Sequence, residues 1–285
     1  MLRHRLIFGA LMIIAFFSLM LVDGWLDGSL TLPESDDETF RGAIFFIFVL
    51  LLLIPAHLEL SRLASFKGLN SLPLVSGVIS VLLVTAVYMQ QFYPRFSLLV
   101  LGLVPVFGLF AMVYYYYLRF GFSGLLSSCG TGCFSIIYLG GLACFALQTR
   151  IEFGLWAFLM YVSVVKCADI GAYTFGRLFG KHKFSPVISP GKTWEGMGGA
   201  VIFACVTGFL FAYLCNIISG WFGILFGIIF ALTGQLGDLI ESLLKRDTRQ
   251  KDSASSLPGF GGLLDLLDSP LAAAPVAYLL FYFVF

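Results

Sequence analysis

The chain has 285 residues, of which 59% are hydrophobic and 12% charged, and its mean hydropathy is +0.96. Soluble domains carry roughly 25% charged residues, so this composition excludes a soluble globular fold and makes the bilayer the solvent. The formal net charge of +1 gives no sign of a nucleic-acid partner, and the 31 Phe fit lipid-facing helices with aromatic residues near the interfaces.

About nine apolar runs are long enough to be read as spanning helices, near 5–22, 43–60, 72–91, 97–118, 132–149, 153–172, 197–216, 221–241 and 270–285. Arg3, His4 and Arg5 before the first run resemble the start of a signal peptide. No small-x-small cleavage site follows, so a retained first helix is expected. The fold class is an all-α polytopic membrane protein, one membrane domain overall. Residues 1–150 supply the N-terminal transmembrane helices, and 151–285 supply the region that carries the polar motifs. Cys129, Cys133, Cys144, Cys167, Cys205 and Cys215 form no C-x-x-C pair, so neither a zinc site nor a redox motif is indicated.

Basic residues in the loops set the orientation. With the N-terminus inside, Arg62, Lys67, Arg119, Arg177, Lys181, Lys183, Lys192, Lys245, Arg246, Arg249 and Lys251 all fall inside. The first outer loop holds Asp23, Asp27, Glu34, Asp36, Asp37 and Glu38 and reads as a solvated, topology-setting hairpin. Arg95 and Arg150 fall outside as exceptions.

Three inner segments carry the unusual polar residues. In the first, Asp169, Tyr173, Gly176 and Gly180 share a helical face, with glycines that let a backbone or ligand approach. A plain Lys166–Asp169 ion pair is the structural alternative. The second runs from Ser189 through Lys192, Thr193 and Glu195 to Gly196. A full P-loop fails because position 186 is Pro186 and no strand precedes it. A Lys, a hydroxyl and backbone N–H groups at a helix start can still hold phosphate. The same residues also suit an ordinary cap, by Thr193 or Ser189 with Glu195 in the first turn.

The third segment runs from Gly234 to Asp268. Gln235, Asp238, Glu241 and Ser242 give one polar helix face. Lys245, Arg246, Arg249, Lys251 and Asp252 follow, then Pro258-Gly259-Phe260-Gly261-Gly262, Asp265 and Asp268. Clustered carboxylates beside clustered bases suit a metal–nucleotide site: acids hold Mg²⁺, bases hold phosphates and glycines admit close approach. Acids at membrane helix ends are costly and point to function.

Ser242-Leu-Leu-Lys245-Arg246, Lys251-Asp252, Leu257-Pro258-Gly259-x-Gly261-Gly262 and Asp265-x-x-Asp268 together resemble the signature of the phosphatidate cytidylyltransferases, or CDP-diacylglycerol synthases. The Ser-Pro-x-Lys-Thr-x-Glu-Gly and Asp-x-x-Ala-Tyr-x-x-Gly segments resemble that family in the same order, over roughly 155–285. Phe260 and Leu266 stand where the family usually has His and Arg.

The resemblance implies transfer of CMP from CTP to phosphatidate in phospholipid biosynthesis, by a multi-pass protein of a bacterial-type inner membrane whose active site faces the cytoplasm. It implies Mg²⁺ on Asp238, Asp265 and Asp268, and catalytic roles for Lys245, Arg246, Lys251 and Asp252. Asp169, Tyr173, Ser189, Lys192, Thr193, Glu195, Gly259, Gly261 and Gly262 are the expected substrate-binding residues. CTP, phosphatidate and membrane lipid are the expected partners, and a homodimer is one possible assembly. A kinase or cytidylyltransferase acting on another membrane lipid, and a low-activity homologue, stay open. A CDP-alcohol phosphotransferase lacks support because its D-G-x-x-A-R…G-x-x-x-D-x-x-x-D spacing is absent. A transporter would place acids near the bilayer midplane on broken helices, whereas these lie at inner helix ends.

Overall fold

The computed structural model describes residues 2–30, 40–250, 252–254 and 261–285, with side chains from residue 8 onward. Lys251, Gly259 and Phe260, the acidic Glu34, Asp36, Asp37 and Glu38, and the side chains of Arg3, His4 and Arg5 lie outside the described residues. The secondary structure of the described residues is helical, with no strand. Lys183 and Thr193 form an isolated antiparallel bridge.

The chain divides into two compact units, Met1–Ile151 with Gln250–Asp265, and Glu152–Arg249 with Leu266–Phe285. The first unit contains α1 (Leu2–Leu26), α2 (Ala43–Ser65), α3 (Pro73–Met89), α4 (Pro94–Phe120) and α5 (Leu125–Ser135), which runs through a π-helical turn, Ile136–Gly141, into α6 (Leu142–Phe179). Pro73 and Pro94 open α3 and α4, where the missing N–H costs nothing and the fixed φ is already helical. The second unit holds most of α6, then α7 (Trp194–Leu214), α8 (Gly220–Asp247) and α9 (Leu264–Val284), which begins in the first unit.

Seven described helices are long and apolar enough to cross a bilayer, against about nine runs expected. Two of the expected runs account for the difference. Helix α3 has 17 residues, about 25 Å at 1.5 Å per residue, and falls short of a hydrocarbon core about 30 Å thick. The runs at 132–149 and 153–172 are counted together as one 55-residue stretch, Leu125–Phe179, but the chain leaves helical geometry at Gly154 (φ 83°, ψ −179°), so two helices meet there as the two runs imply. Large apolar side chains such as Leu98, Phe107 and Phe110 on α4 stand exposed, a surface that only lipid can cover. The chain is a multi-pass integral membrane protein.

Small residues set the helix crossings. A Cβ on Gly208 of α7 would run into the Gly223 carbonyl of α8, and one on Gly227 would come within 2.7 Å of the Ala204 backbone. The two backbones therefore touch along a glycine and alanine seam, as helices do where lipid removes any hydrophobic drive between them. Gly171 and Gly176 of α6 meet the backbone of Gly199 and Gly196 of α7 in the same way. The glycine face of α6 is thus filled by the start of α7.

Two acids of the first outer loop are not solvated as expected. Asp23 and Asp27 have side chains only 1% and 2% exposed, and both pair with the fully buried Arg150, at 2.9 Å in the case of Asp23. Asp23 also accepts from the backbone N–H groups of Ile44 (2.8 Å) and Phe45 (3.4 Å). The α2 N-cap is Gly42, which has no side chain to cap with, so a carboxylate from α1 takes its place. Burial pushes the Asp27 carboxyl up, but the Ser29 hydrogen bonds and the Arg150 charge outweigh it and hold it below the ordinary Asp range. Arg150→Met leaves two carboxylates buried without their cation. It is expected to destabilise the fold by about 3–5 kcal/mol, read as a fall in the thermal midpoint in detergent. Adding Asp23→Asn and Asp27→Asn should return part of the loss; parent-like stability of Arg150→Met alone would show that the ion pairs carry nothing.

Candidate functional site

In the second unit, α8 projects Gln235, Asp238, Glu241, Ser242 and Lys245 from one face, as the three- and four-residue spacing requires. Gln235, Glu241 and Ser242 are buried and Asp238 is half-buried. Helix α9 adds Asp268, 4% exposed, whose Oδ1 accepts from the backbone N–H of Ser269 at 2.6 Å. Gly237 makes this approach possible: a Cβ there would lie 2.7 Å from the Asp268 carbonyl oxygen. One carboxylate oxygen from each of Asp238, Glu241 and Asp268 lies within 4.8 Å of the others.

Three ammonium groups surround these acids. Lys192, from the loop before α7, places Nζ 2.8 Å from Asp238 Oδ2 and donates to the Gln235 carbonyl at 3.1 Å. Lys245 donates to Glu241 Oε2 at 3.0 Å. Lys166 of α6 donates to Asp169 Oδ2 at 3.3 Å and to the Leu266 carbonyl at 2.9 Å. Gln235 Nε2 approaches Asp169 Oδ1 at 3.4 Å and links that pair to the α8 face. Charges on Lys166, Asp169 and Asp238 act on Asp268, so the cluster is one electrostatic unit.

The loop before α7 is built around Lys192. Thr193 caps α7, its Oγ1 accepting from Gly196 N–H at 3.1 Å, and Ser189 forms the turn that receives Lys192 N–H. Glu195 turns back to accept from the N–H groups of Lys181 (3.1 Å) and His182 (3.2 Å) and pairs with His182 Nδ1 at 2.6 Å. Arg246 Nε donates to the Ile188 carbonyl at 3.1 Å and ties the end of α8 to this loop. Thr193, Ser189 and Glu195 therefore shape the loop, and Lys192 is the group it sends into the cluster. Tyr173 stays outside the cluster, 64% exposed, with its hydroxyl accepting from Arg177 at 2.9 Å.

The first unit gathers a separate set. Asp265 Oδ2 accepts from Ser253 N–H (3.3 Å), Ser253 Oγ (2.9 Å) and Gly262 N–H (2.7 Å). Asp252 precedes Ser253, and Gly261 takes a left-handed φ of 95° beside Asp265. Glu59 of α2, which no motif in the sequence marks, joins this knot. It lies inside an apolar run, and the rule that intramembrane acids point to function is the one signal that singles it out. Glu241 is visible in the sequence on the polar face of α8, but its place beside Asp238 and Asp268 is not.

The donor set suits a hard divalent ion. Three carboxylate oxygens within 4.8 Å match a Mg²⁺ shell, where ligands at about 2.1 Å stand roughly 3–4 Å apart. Asp238 and Asp268 are two of the three acids expected to hold metal. The third, Asp265, accepts from Ser253 and Gly262 through Oδ2 in the first unit, and Glu241 stands beside Asp238 and Asp268 in the second. Mn²⁺, used as a spectroscopic substitute, should raise the thermal midpoint of the parent by ligand linkage. In Glu241→Gln and Asp268→Asn it should bind at least about tenfold more weakly by electron paramagnetic resonance. Equal binding by parent and variants would remove this group as the metal site.

Residues 38–284 match the family model described as the cytidylyltransferase family. Three similar proteins are named phosphatidate cytidylyltransferase. The one from Mycobacterium bovis is 43% identical over 124 residues, 44% of this chain and 40% of that protein. The one from Staphylococcus saprophyticus is 43% identical over 147 residues, 51% and 56% of the two chains. The one from Staphylococcus epidermidis is 34% identical over 247 residues, 84% and 90%. The chain thus spans about 40% of the mycobacterial relative and nearly all of the Staphylococcus epidermidis one. With a family model matched along most of its length, and a relative aligned over most of both chains, the chain belongs to the cytidylyltransferase family.

Proposed function

We propose that the protein transfers CMP from CTP to phosphatidate, giving CDP-diacylglycerol and pyrophosphate. The observation that carries this reading is the three-carboxylate group of Asp238, Glu241 and Asp268, set among Lys166, Lys192 and Lys245. A phosphate oxygen of the lipid attacks the α-phosphorus of CTP, the bond to the β-phosphate breaks, and pyrophosphate leaves. Both reactants are polyanions, so charge neutralisation is the main barrier. The nucleophile is already an anion, and the mechanism needs no strong general base.

Asp238, Glu241 and Asp268 would hold Mg²⁺, which when bound supplies charge neutralisation for the triphosphate and its leaving group. Lys192 and Lys245 are tethered to the metal-binding acids and stand ready to meet phosphate oxygens as point charges. Lys166 anchors Asp169 and the first turn of α9. Leu178, Phe179, Val187 and Trp194 are exposed around the α6–α7 loop and offer an apolar rim where a lipid acceptor can approach from the bilayer. The basic residues of the loops support a site on the cytoplasmic side, where CTP is found, in a bacterial-type inner membrane.

The purified protein with Mg²⁺, CTP and phosphatidate should release pyrophosphate, with a polyprenyl phosphate as the comparison acceptor. Asp238→Asn and Asp268→Asn should each lower turnover by about a thousandfold, several kcal/mol of transition-state stabilisation, while the protein stays membrane-inserted. Near-parent turnover in both would overturn the assignment, and faster turnover with the polyprenyl acceptor would reassign the substrate. Single cysteines at Leu30 and Val187, in a cysteine-free background, should label from opposite faces, Val187 from the cytoplasmic one. Labelling of both from one face would remove the cytoplasmic placement.

A further inference from the structure

Glu59 is 7% exposed near the end of α2, in a helix that is otherwise apolar for most of its length. A carboxylate in such a place needs donors, and it has them. Oε1 accepts from Leu263 N–H at 3.0 Å, Oε2 accepts from Leu264 N–H at 3.1 Å, and Ser253 Oγ stands 3.4 Å from Oε2. The two backbone groups belong to the entry of α9, whose first N–H groups have no carbonyl partner within their own helix. A negative charge there also meets the positive end of the helix dipole.

The same short segment is tied a second time by Asp265, through Ser253 and Gly262. Gly262 lies between the two acids: a Cβ on it would stand 2.6 Å from Glu59 Oε2 and 2.9 Å from Ala254 N. Position 262 therefore has to be glycine for the Glu59 anchor to close. Ser253, Leu263 and Leu264, the chain neighbours of the signature residues Asp252, Gly262 and Asp265, are thus held by a residue almost two hundred positions earlier, at a point where the signature shows no sign of it.

We propose that Glu59 is a positioning residue for nucleotidyl transfer, one that fixes the signature segment 261–265 and with it the start of α9. Asp268 follows Leu264 by four residues in that helix, one turn further on. Glu59 thereby holds the N-terminal turn of α9, which leads into the turn that carries this acid. The role rests on the function proposed above.

The test uses the full-length protein with Glu59→Ala, Glu59→Asp and, from the other side of the contact, Gly262→Ala. Hydrogen exchange of the Leu263 and Leu264 amides, measured without metal or CTP, should quicken roughly tenfold or more in Glu59→Ala, which removes their charged acceptor. Turnover per folded molecule should fall about 10- to 100-fold, and the Mg²⁺ concentration for half-maximal rate should rise. Glu59→Asp keeps both acceptor oxygens on a shorter arm and should recover part of each effect; Gly262→Ala should reproduce the loss. A merely structural cap would lower yield and thermal midpoint and leave turnover per folded molecule and the Mg²⁺ dependence at parent values, and that result would overturn the proposal. Unchanged amide exchange in Glu59→Ala would overturn it independently of any activity. A parent inactive with CTP and every lipid phosphate would instead refute the proposed function, and the positioning role with it.

Discussion

An ionised group taken out of water into a hydrocarbon surrounding is costly unless it is paired and hydrogen-bonded, and this constraint organises the polar residues of the protein. They occur in sets rather than singly. Arg150 is enclosed by Asp23 and Asp27. Glu59 is enclosed by the amides of Leu263 and Leu264. Asp238, Glu241 and Asp268 are accompanied by Lys192 and Lys245. The first set is structural alone, because each charged group has its counter-charge and one carboxylate also caps α2. The third differs in kind. Its carboxylates converge on one another as well as on lysines, an arrangement that suits the divalent cation proposed above.

Backbone approach is the second requirement, and glycine meets it. Bringing side chains from separate helices into one cluster needs helix axes closer than large side chains allow. Gly237 brings α9 up to α8, and the Gly208, Gly223 and Gly227 seam brings α7 up to α8. Gly176 and Gly196 allow the end of α6 to meet the start of α7, and Gly180 lies against the Thr193 cap, next to the residue that reaches across, Lys192. The glycines that look like loop or ligand features in the sequence are largely crossing points. Gly191, which faces open space, Gly261, with its left-handed φ of 95°, and Gly262, whose missing side chain leaves room for a carboxylate, are not crossing points.

The chemistry proposed above fits how these acids and bases are spaced. Nucleotidyl transfer between two polyanions asks for positive charge near the triphosphate and for little proton movement. Lysines that neutralise carboxylates at rest are suited to this, because an arriving phosphate competes for an ammonium already in place and no charge has to be carried in from solvent. Arg246 also holds the Ile188 carbonyl through Nε and so helps to shape the loop beside the cluster.

Much of this is legible in the sequence. Composition and run length point to a polytopic helical membrane protein, because a helix satisfies each backbone N–H and C=O within its own apolar run. The three- and four-residue spacing on α8 announces a polar face, and the signature motifs point to the reaction. The helix count is less legible: hydropathy registers apolar runs, and it does not register that α3 is short. Tertiary structure alone decides which acids meet. Asp265 and Asp268 look equivalent at three residues apart, yet Asp265 accepts from Ser253 and Gly262 through Oδ2 while Asp268 lies beside Asp238 and Glu241. Of the two roles that the sequence offers Thr193 and Glu195, the structure displays the local one: they cap and fold their loop, and Lys192 reaches the acids. Asp23 and Arg150, or Glu59 and Leu264, are far apart in the chain, and a partner at that separation leaves no periodicity to read. Sequence pattern reports the environment a residue prefers; which counter-charge it finds is decided only when the helices pack.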